Sequence, residues 1–312
     1  MKILVAHIAP EDFEEALRSR FPNDDFHFTH VPDQLATDLE TFQPEAVFTI
    51  KQKNFPPPFH PQITKCPSVR WIQVGGSGFE HIGSWDEARI QVTNCAGVLA
   101  RFLAETVTGA MITLNNNSFL FRDQQRQKLW QTTTFTPLVG KTLLIVGVGH
   151  IGGWLAHNAK ALGMNVIGVR HSGAPKDHVD EMVTPDQLEQ VIGQADVVSI
   201  HLRHTAETEN LFDAEMLSKM KTDSMLINTS RGAIVDQNAL IEALTSGPIK
   251  NAYLDVFDPE PLPADSPLWN MDNVLITPHA SDHVSDWPAI FGDFFADNLQ
   301  RFKDGNILKN LV

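Results

Sequence analysis

Leu143-Leu144-Ile145-Val146-Gly147-Val148-Gly149-His150-Ile151-Gly152 decides the fold. Its first four residues form a short apolar run, suited to a strand buried on both faces. The run opens directly onto G-x-G-x-x-G. A helix-like segment follows over residues 153–162, and then a second apolar run, Asn165–Val169. Gly147 permits a tight turn, Gly149 lets the backbone approach a pyrophosphate, and Gly152 lets the helix pack close to the strand. His150 and Ile151 lie in the same turn, at a helix N-terminus that faces the phosphates. A glycine turn alone is weak evidence. Set between two strands and a helix, it predicts a dinucleotide-binding βαβ unit.

Working outward, the pattern continues on both sides. Downstream strands are expected at Val197–Ile200, 225–228, 251–254 and Val274–Ile276. Upstream, strand patterns at 2–8, 26–30, Ala46–Ile50, 69–74 and 91–93 alternate with helical ones at 11–20 and 33–42. Such alternation predicts an α/β protein built on parallel sheets with helices on both faces. The stretch Phe55-Pro56-Pro57-Pro58-Phe59-His60-Pro61 is expected to be an exposed loop without regular structure. A long apolar helix is expected over about 101–114, another to about Trp130, and a C-terminal one over about 285–302.

Composition narrows the class. The 312 residues are 42% hydrophobic and 20% charged, enough for two ordinary globular domains. A net charge of −14 repels nucleic acid phosphates and anionic lipid, so neither partner is expected. It also repels a small anionic substrate, so an active site must be locally positive. No apolar stretch approaches the roughly 20 residues of a membrane span. The opening residues are interrupted too soon for a signal peptide, and a cytoplasmic location is expected. Cys66 and Cys95 form no C-x-x-C pair and are expected as reduced, packed thiols. His201 with His204, and His279 with His283, lack the company a metal needs, so no metal is expected.

Three short motifs carry chemistry: Asn228-Thr229-Ser230-Arg231-Gly232, Asp258-Pro259-Glu260-Pro261-Leu262-Pro263 and Thr277-Pro278-His279-Ala280. Gly or Pro in or beside each marks a loop after a strand. An imidazole beside a carboxylate can hold a proton at neutral pH, and a guanidinium can clamp an organic acid by two parallel hydrogen bonds. Together the three can protonate the carbonyl of a 2-oxo acid while a hydride donor reduces it.

On these motifs, with Gly76-Ser77-Gly78-Phe79-Glu80-His81-Ile82, Thr93-Asn94-Cys95-Ala96-Gly97 and Ala104-Glu105, the chain resembles the D-isomer-specific 2-hydroxyacid dehydrogenases over nearly its whole length. Within them it looks most like the glyoxylate/hydroxypyruvate reductase branch. The resemblance implies two doubly wound parallel-sheet domains. A Rossmann dinucleotide-binding domain, 99–283, is inserted in a flavodoxin-like substrate domain, 1–98 and 284–312, with hinges near 97–101 and 281–286. It implies a homodimer supported by the helices after residue 100, with Trp130 as a core or interface anchor. It makes His279 the acid/base, Glu260 its paired anion and Arg231 the substrate clamp. Gly76, Ser77 and Gly78 become a carboxylate cradle. Thr229 and Ser230 fall at the cofactor, and Asp255 near the nicotinamide carboxamide, with capping of the Glu260 loop as its structural alternative. Formate dehydrogenases have glutamine in place of the paired glutamate, so Glu260 argues against formate oxidation.

The second strand of the fingerprint ends in Arg170-His171-Ser172, where NAD-using relatives place an aspartate for the ribose 2′-hydroxyl. A guanidinium there attracts a 2′-phosphate, and His171 and Ser172 can add donors. NADP(H) is therefore the expected cofactor. The alternative leaves Arg170 solvated and NAD(H) equally usable. Leu202 and Arg203 follow another Rossmann strand; Arg203 is either a second phosphate contact or a surface charge. Residues 51–55 and those after His279 are expected to set substrate length and polarity. Trp287 is one residue able to wall that pocket.

The leading reading is NADPH-dependent reduction of glyoxylate or hydroxypyruvate. A dehydrogenase for a larger D-2-hydroxy acid, or a non-catalytic corepressor-like protein gated by NAD(P), stands beside it. Phosphoglycerate dehydrogenase is disfavoured, because the chain leaves no room for a regulatory domain.

Overall fold

The computed structural model describes residues 1–7, 10–51 and 55–312. Among these residues the contacts divide the chain into two compact units, Met1–Leu99 with Val284–Val312, and Ala100–His283.

In the first unit the strands are β1 (Lys2–Ala6), β2 (Asp25–Thr29), β3 (Ala46–Ile50), β4 (Trp71–Gly75) and β5 (Gln91–Asn94). They pair in parallel in the order β2-β1-β3-β4-β5, the flavodoxin-like arrangement. Parallel pairing needs crossovers. They are made by α1 (Glu14–Arg20), α2 (Leu35–Phe42) and α3 (Pro61–Lys65). Strands β3 and β4 are buried along their whole length, as a strand covered on both faces must be. The C-terminal helix of the chain belongs to this unit. Its Phe295 stacks on Phe48 and Trp71, with ring centroids 5.0 and 5.2 Å apart. His7 is buried at the end of β1, 5.4 Å from the Trp287 ring.

The proline-rich stretch departs from its reading as an exposed loop. Residues Pro57–Phe59 form a 3-10 turn and Pro61 opens α3, where its missing N–H is no loss. Phe55 and His60 are fully buried. The His60 ring meets the Thr49 hydroxyl at 3.0 Å and the Phe55 carbonyl at 3.1 Å. Residues 52–54 of the 51–55 segment, and the end of the expected first strand at Ile8, lie outside the described residues.

The second unit begins with α4 (Ala100–Asn115) and α5 (Ser118–Gln127). The α5 helix stops short of Trp130 because Lys128 turns left-handed, φ +58°. Trp130 itself is 99% exposed, so a core role is excluded. Then follow β6 (Thr142–Val146), α6 (His150–Ala161), β7 (Asn165–Val169), β8 (Glu181–Val183), α7 (Leu188–Val191), β9 (Val197–Ile200), α8 (Ala214–Ser218), β10 (Ser224–Asn228), α9 (Gln237–Ser246), β11 (Ile249–Leu254) and β12 (Val274–Ile276). The last helix, α10 (Trp287–Lys303), is the one that returns to the first unit. The sheet runs β12-β11-β10-β9-β6-β7-β8, all parallel. The order reverses at β6, between β9 and β7, which opens a crevice at the carboxyl ends of the strands. Both sheets together give the doubly wound α/β architecture that the alternating pattern implies. Cys66 and Cys95 are buried, unpaired thiols, and burial pushes Cys95 up to about 12.

Candidate active site

The glycine turn is built as its spacing requires. Gly147 has φ +105°, and a Cβ there would lie 2.5 Å from the His201 carbonyl oxygen. At Gly152 a Cβ would meet the Gly147 carbonyl at 2.7 Å and Ile145 at 2.9 Å, so only glycine lets α6 approach β6 this closely. At Gly149 a Cβ would meet nothing within 4 Å. That glycine is the N-cap of α6 and provides no side-chain cap. The helix starts at His150, three residues before the expected 153, so Gly152 lies in its first turn. The N–H groups of that turn are left to a ligand in the open space beside Gly149.

A cavity of about 600 Å³ continues from this turn. Its wall includes Gly147, Gly149, Arg170, His171, Leu202 and Arg203, with Glu207 as the acid among them. Ser172 is not on that wall; its hydroxyl accepts from Ala174 N at 3.3 Å and closes the local turn. Burial pushes His201 down to about 4, so this ring on the same wall is neutral at ordinary pH.

The Arg, Glu and His motifs follow β10, β11 and β12, three adjacent parallel strands, so their loops emerge at one edge of the sheet. His279 Nδ1 lies 2.9 Å from Glu260 Oε2. Both are partly exposed, at 48% and 37% of their side chains, so the pair is reachable by a substrate. The other Glu260 oxygen accepts from Phe257 N at 3.0 Å. Burial alone would raise the Glu260 carboxyl. The His279 and Phe257 hydrogen bonds, with the His279 and Arg231 charges, outweigh it and hold the group below its ordinary value. Arg231 thus acts on Glu260 through its field, while its Nη1 donates to the Ser230 carbonyl at 2.6 Å.

The Arg231 loop is fixed by Asn228, to which sequence reasoning gave no role, and the His279 loop by Asp255, which it did name. Asn228 accepts from Ser230 N at 3.1 Å and from the Ser230 hydroxyl at 2.8 Å, and donates to the Arg231 carbonyl at 3.0 Å. An Asn leading into a turn with Ser two residues on is the local signal that could have identified it. Thr229 is buried beside it with a hydroxyl that has no partner among the described residues, an unfilled polar position at the end of β10.

Asp255 is fully buried. Its Oδ1 accepts from the Thr277 hydroxyl and from Ala280 N at 2.8 Å; its Oδ2 accepts from Ser281 N at 3.1 Å. Its backbone carbonyl accepts from His279 N at 2.8 Å. It therefore caps the loop of His279, and not the loop of Glu260 as the structural alternative had it. His279 is held left-handed at φ +52°, a conformation costing roughly 1–3 kcal/mol outside glycine. Nothing in a single sequence announces that angle.

In the first unit, Gly76 is left-handed at φ +89°, its carbonyl accepts from Cys95 N at 2.7 Å, and the Ser77 carbonyl accepts from Asn94 Nδ2 at 2.8 Å. Among the described residues no group of three His, Cys, Asp or Glu side chains is placed to hold a metal, and no helix is long and apolar enough to cross a membrane.

Residues 108–281 match the sequence profile of the D-isomer specific 2-hydroxyacid dehydrogenase NAD-binding domain. The chain is 34% identical over 258 residues to a glyoxylate reductase of Korarchaeum cryptofilum (strain OPF8), covering 79% of this chain and 77% of that one. Among solved structures it resembles a D-isomer specific 2-hydroxyacid dehydrogenase family protein from Aeromonas salmonicida subsp. salmonicida A449, with a TM-score of 0.84 at 31% identity over 100% of this chain and 98% of that one. It also resembles a D-isomer specific 2-hydroxyacid dehydrogenase from Xanthobacter autotrophicus Py2 in complex with NADPH and MES. There the TM-score is 0.79 at 25% identity, over 100% of this chain and 97% of that one.

Proposed function

The chain belongs to the D-isomer specific 2-hydroxyacid dehydrogenase family, a family of nicotinamide-dependent oxidoreductases, and on that premise we propose that it reduces a small 2-oxo acid of the glyoxylate or hydroxypyruvate type to the D-2-hydroxy acid with NADPH. The contact of 2.9 Å between His279 Nδ1 and Glu260 Oε2 carries the reading. It fixes one imidazole nitrogen on an anion and leaves Nε2 to face the substrate. A bound reduced nicotinamide supplies the hydride. His279 Nε2 donates the proton to the carbonyl oxygen, and Glu260 stabilises the cation before that proton leaves. Arg231 holds the substrate carboxylate and adds positive field where negative charge builds on oxygen. The Gly76-Ser77-Gly78 turn is assigned carboxylate binding through its exposed backbone N–H groups. Arg231 also supplies the local positive charge that a chain of net charge −14 needs in order to admit an anion.

NADPH is favoured over NADH by the cavity wall. Arg170 and His171 stand where a carboxylate would hold a ribose hydroxyl, and Arg203 adds a second cation to the same wall. The similar Xanthobacter enzyme, solved with NADPH, supports that choice. Exposed Trp130, Phe135 (50%) and Val139 (72%), in and beyond the segment after α5, support a homodimer.

Steady-state oxidation of NADPH with glyoxylate, hydroxypyruvate, pyruvate and phenylpyruvate tests the proposal. Turnover is expected with glyoxylate and hydroxypyruvate. No turnover with any 2-oxo acid would favour a corepressor-like binding protein, and faster turnover with NADH would overturn the cofactor assignment.

A further inference from the structure

The segment joining β7 to β8, residues 170–180, leaves the cofactor cavity at Arg170 and His171 and returns along the face of α6. It meets that helix at two points. Lys160 Nζ lies 2.8 Å from each Asp180 oxygen, and Asp180 also accepts from Val166 N at 2.8 Å. The second point is a pair of exposed histidines from separate elements. His157 Nδ1 on α6 lies 3.3 Å from His178 Nε2, with the rings at 78° and their centroids 4.7 Å apart. His178 is left-handed, φ +67°, a conformation uncommon outside glycine.

The two ring nitrogens are close enough to share a proton or a bound ion. Two imidazolium cations would repel at this distance. A single shared proton joins the two nitrogens in a hydrogen bond of 3.3 Å, at the long end of the usual range. A divalent ion held by both nitrogens fits the same separation. Two nitrogens each bound at about 2.0–2.1 Å to one tetrahedral ion stand roughly 3.3 Å apart. Imidazole suits zinc, nickel and copper, whereas magnesium and calcium prefer oxygen. Among the described residues no third His, Cys, Asp or Glu completes a site, so water must fill the remaining positions.

We propose that His157 and His178 form a two-histidine site for a divalent transition ion of the zinc type, completed by water, and that the bound ion fastens residues 171–179 to α6. This inference does not depend on the substrate or on the reaction, because its ligands lie apart from the Arg231, Glu260 and His279 loops. Its relevance to function is that the fastened segment begins at the residues assigned to the 2′-phosphate.

The test is Zn²⁺ titration of the tag-free chain by calorimetry, with Mg²⁺ as the contrasting ion. Hydrogen exchange in residues 171–179 provides the second readout. The expected result is one equivalent of Zn²⁺, no competition by Mg²⁺, and slower exchange in the segment when zinc is bound. His157→Gln and His178→Asn should each weaken binding by roughly 10–100-fold or more, since a direct ligand is worth at least as much as a supporting partner. Asn is chosen at 178 because it tolerates the left-handed backbone. Absence of zinc binding, or equal binding in both variants, would overturn the site. Binding without slower exchange would overturn the fastening.

Discussion

Replacing Asp255 by Asn changes no shape and exchanges one acceptor for a donor at the most densely bonded point beneath His279. The carboxylate receives three donors, the Thr277 hydroxyl, Ala280 N and Ser281 N, in a fully buried position. Whichever way the amide of Asn is turned, its NH₂ faces at least one backbone N–H. One buried unsatisfied donor costs about 1–3 kcal/mol, and the surviving bonds lose their charge assistance. The expected loss is therefore roughly 2–4 kcal/mol. That is comparable with the roughly 1–3 kcal/mol stored in the left-handed His279, so the loop can relax and the imidazole loses its fixed aim. For a unit of this size, each kcal/mol lowers Tm by about 2–4 °C, which gives a fall of roughly 4–16 °C. Thermal unfolding by circular dichroism measures the first effect. Steady-state kcat with glyoxylate, at a temperature where the variant is folded, measures the second. A fall of about 100-fold in kcat is expected, as for other small displacements of a catalytic group. A variant with unchanged Tm and kcat within twofold of the parent would refute the positioning role.

Three further outcomes are expected. Arg170→Asp should lower kcat/KM for NADPH by roughly 10–100-fold, the worth of one charge-assisted phosphate contact, and leave NADH nearly unchanged; equal losses with both would remove Arg170 from the cofactor. Gly232→Ala should destabilise by at least the upper end of the roughly 1–3 kcal/mol typical of overpacking, because its Cβ would lie 2.0 Å from the Phe257 carbonyl carbon; a Tm equal to the parent's would contradict that close approach. Glu260 is held below its ordinary value, despite burial, by His279, Phe257 N–H and Arg231. Its stabilising contribution is thus complete above the unfolded value and is lost as pH falls through the folded one. Between about pH 6 and pH 3 the parent should lose more Tm than Glu260→Gln, and parallel losses would refute the pairing.

The fold was legible wherever burial on both faces wrote itself as an apolar run. Ala46–Ile50, Asn165–Val169 and Val197–Ile200 have the same limits in the sequence pattern and in the structure, as does the half-buried edge strand Val274–Ile276. Amphipathic helices were legible at 11–20 and 33–42, where α1 and α2 form, but other elements were not. The ten-residue α9 and the three-residue β8 were not anticipated; β8 is too short to show a pattern. The proline-rich stretch misled for a definite reason: proline blocks a helix interior but suits a helical first turn, and Phe55 and His60 find buried partners that no local rule foresees. At the site, Arg231, Glu260 and His279 were legible as residue types after strands. Of their supports, Asp255 was legible as a residue but not the loop it caps, and Asn228 was not, because both act through backbone N–H groups whose positions exist only in the folded chain.

The proton-donor assignment of His279 is tested most directly by a single turnover. Protein preloaded with NADPH is mixed with glyoxylate in a stopped-flow instrument, for the parent and for His279→Asn, which tolerates the left-handed backbone. The expected result is unchanged NADPH affinity with a rate of NADPH oxidation lower by about 10²–10⁴-fold, the usual worth of a positioned acid. Oxidation by the variant within a few fold of the parent's rate would contradict it.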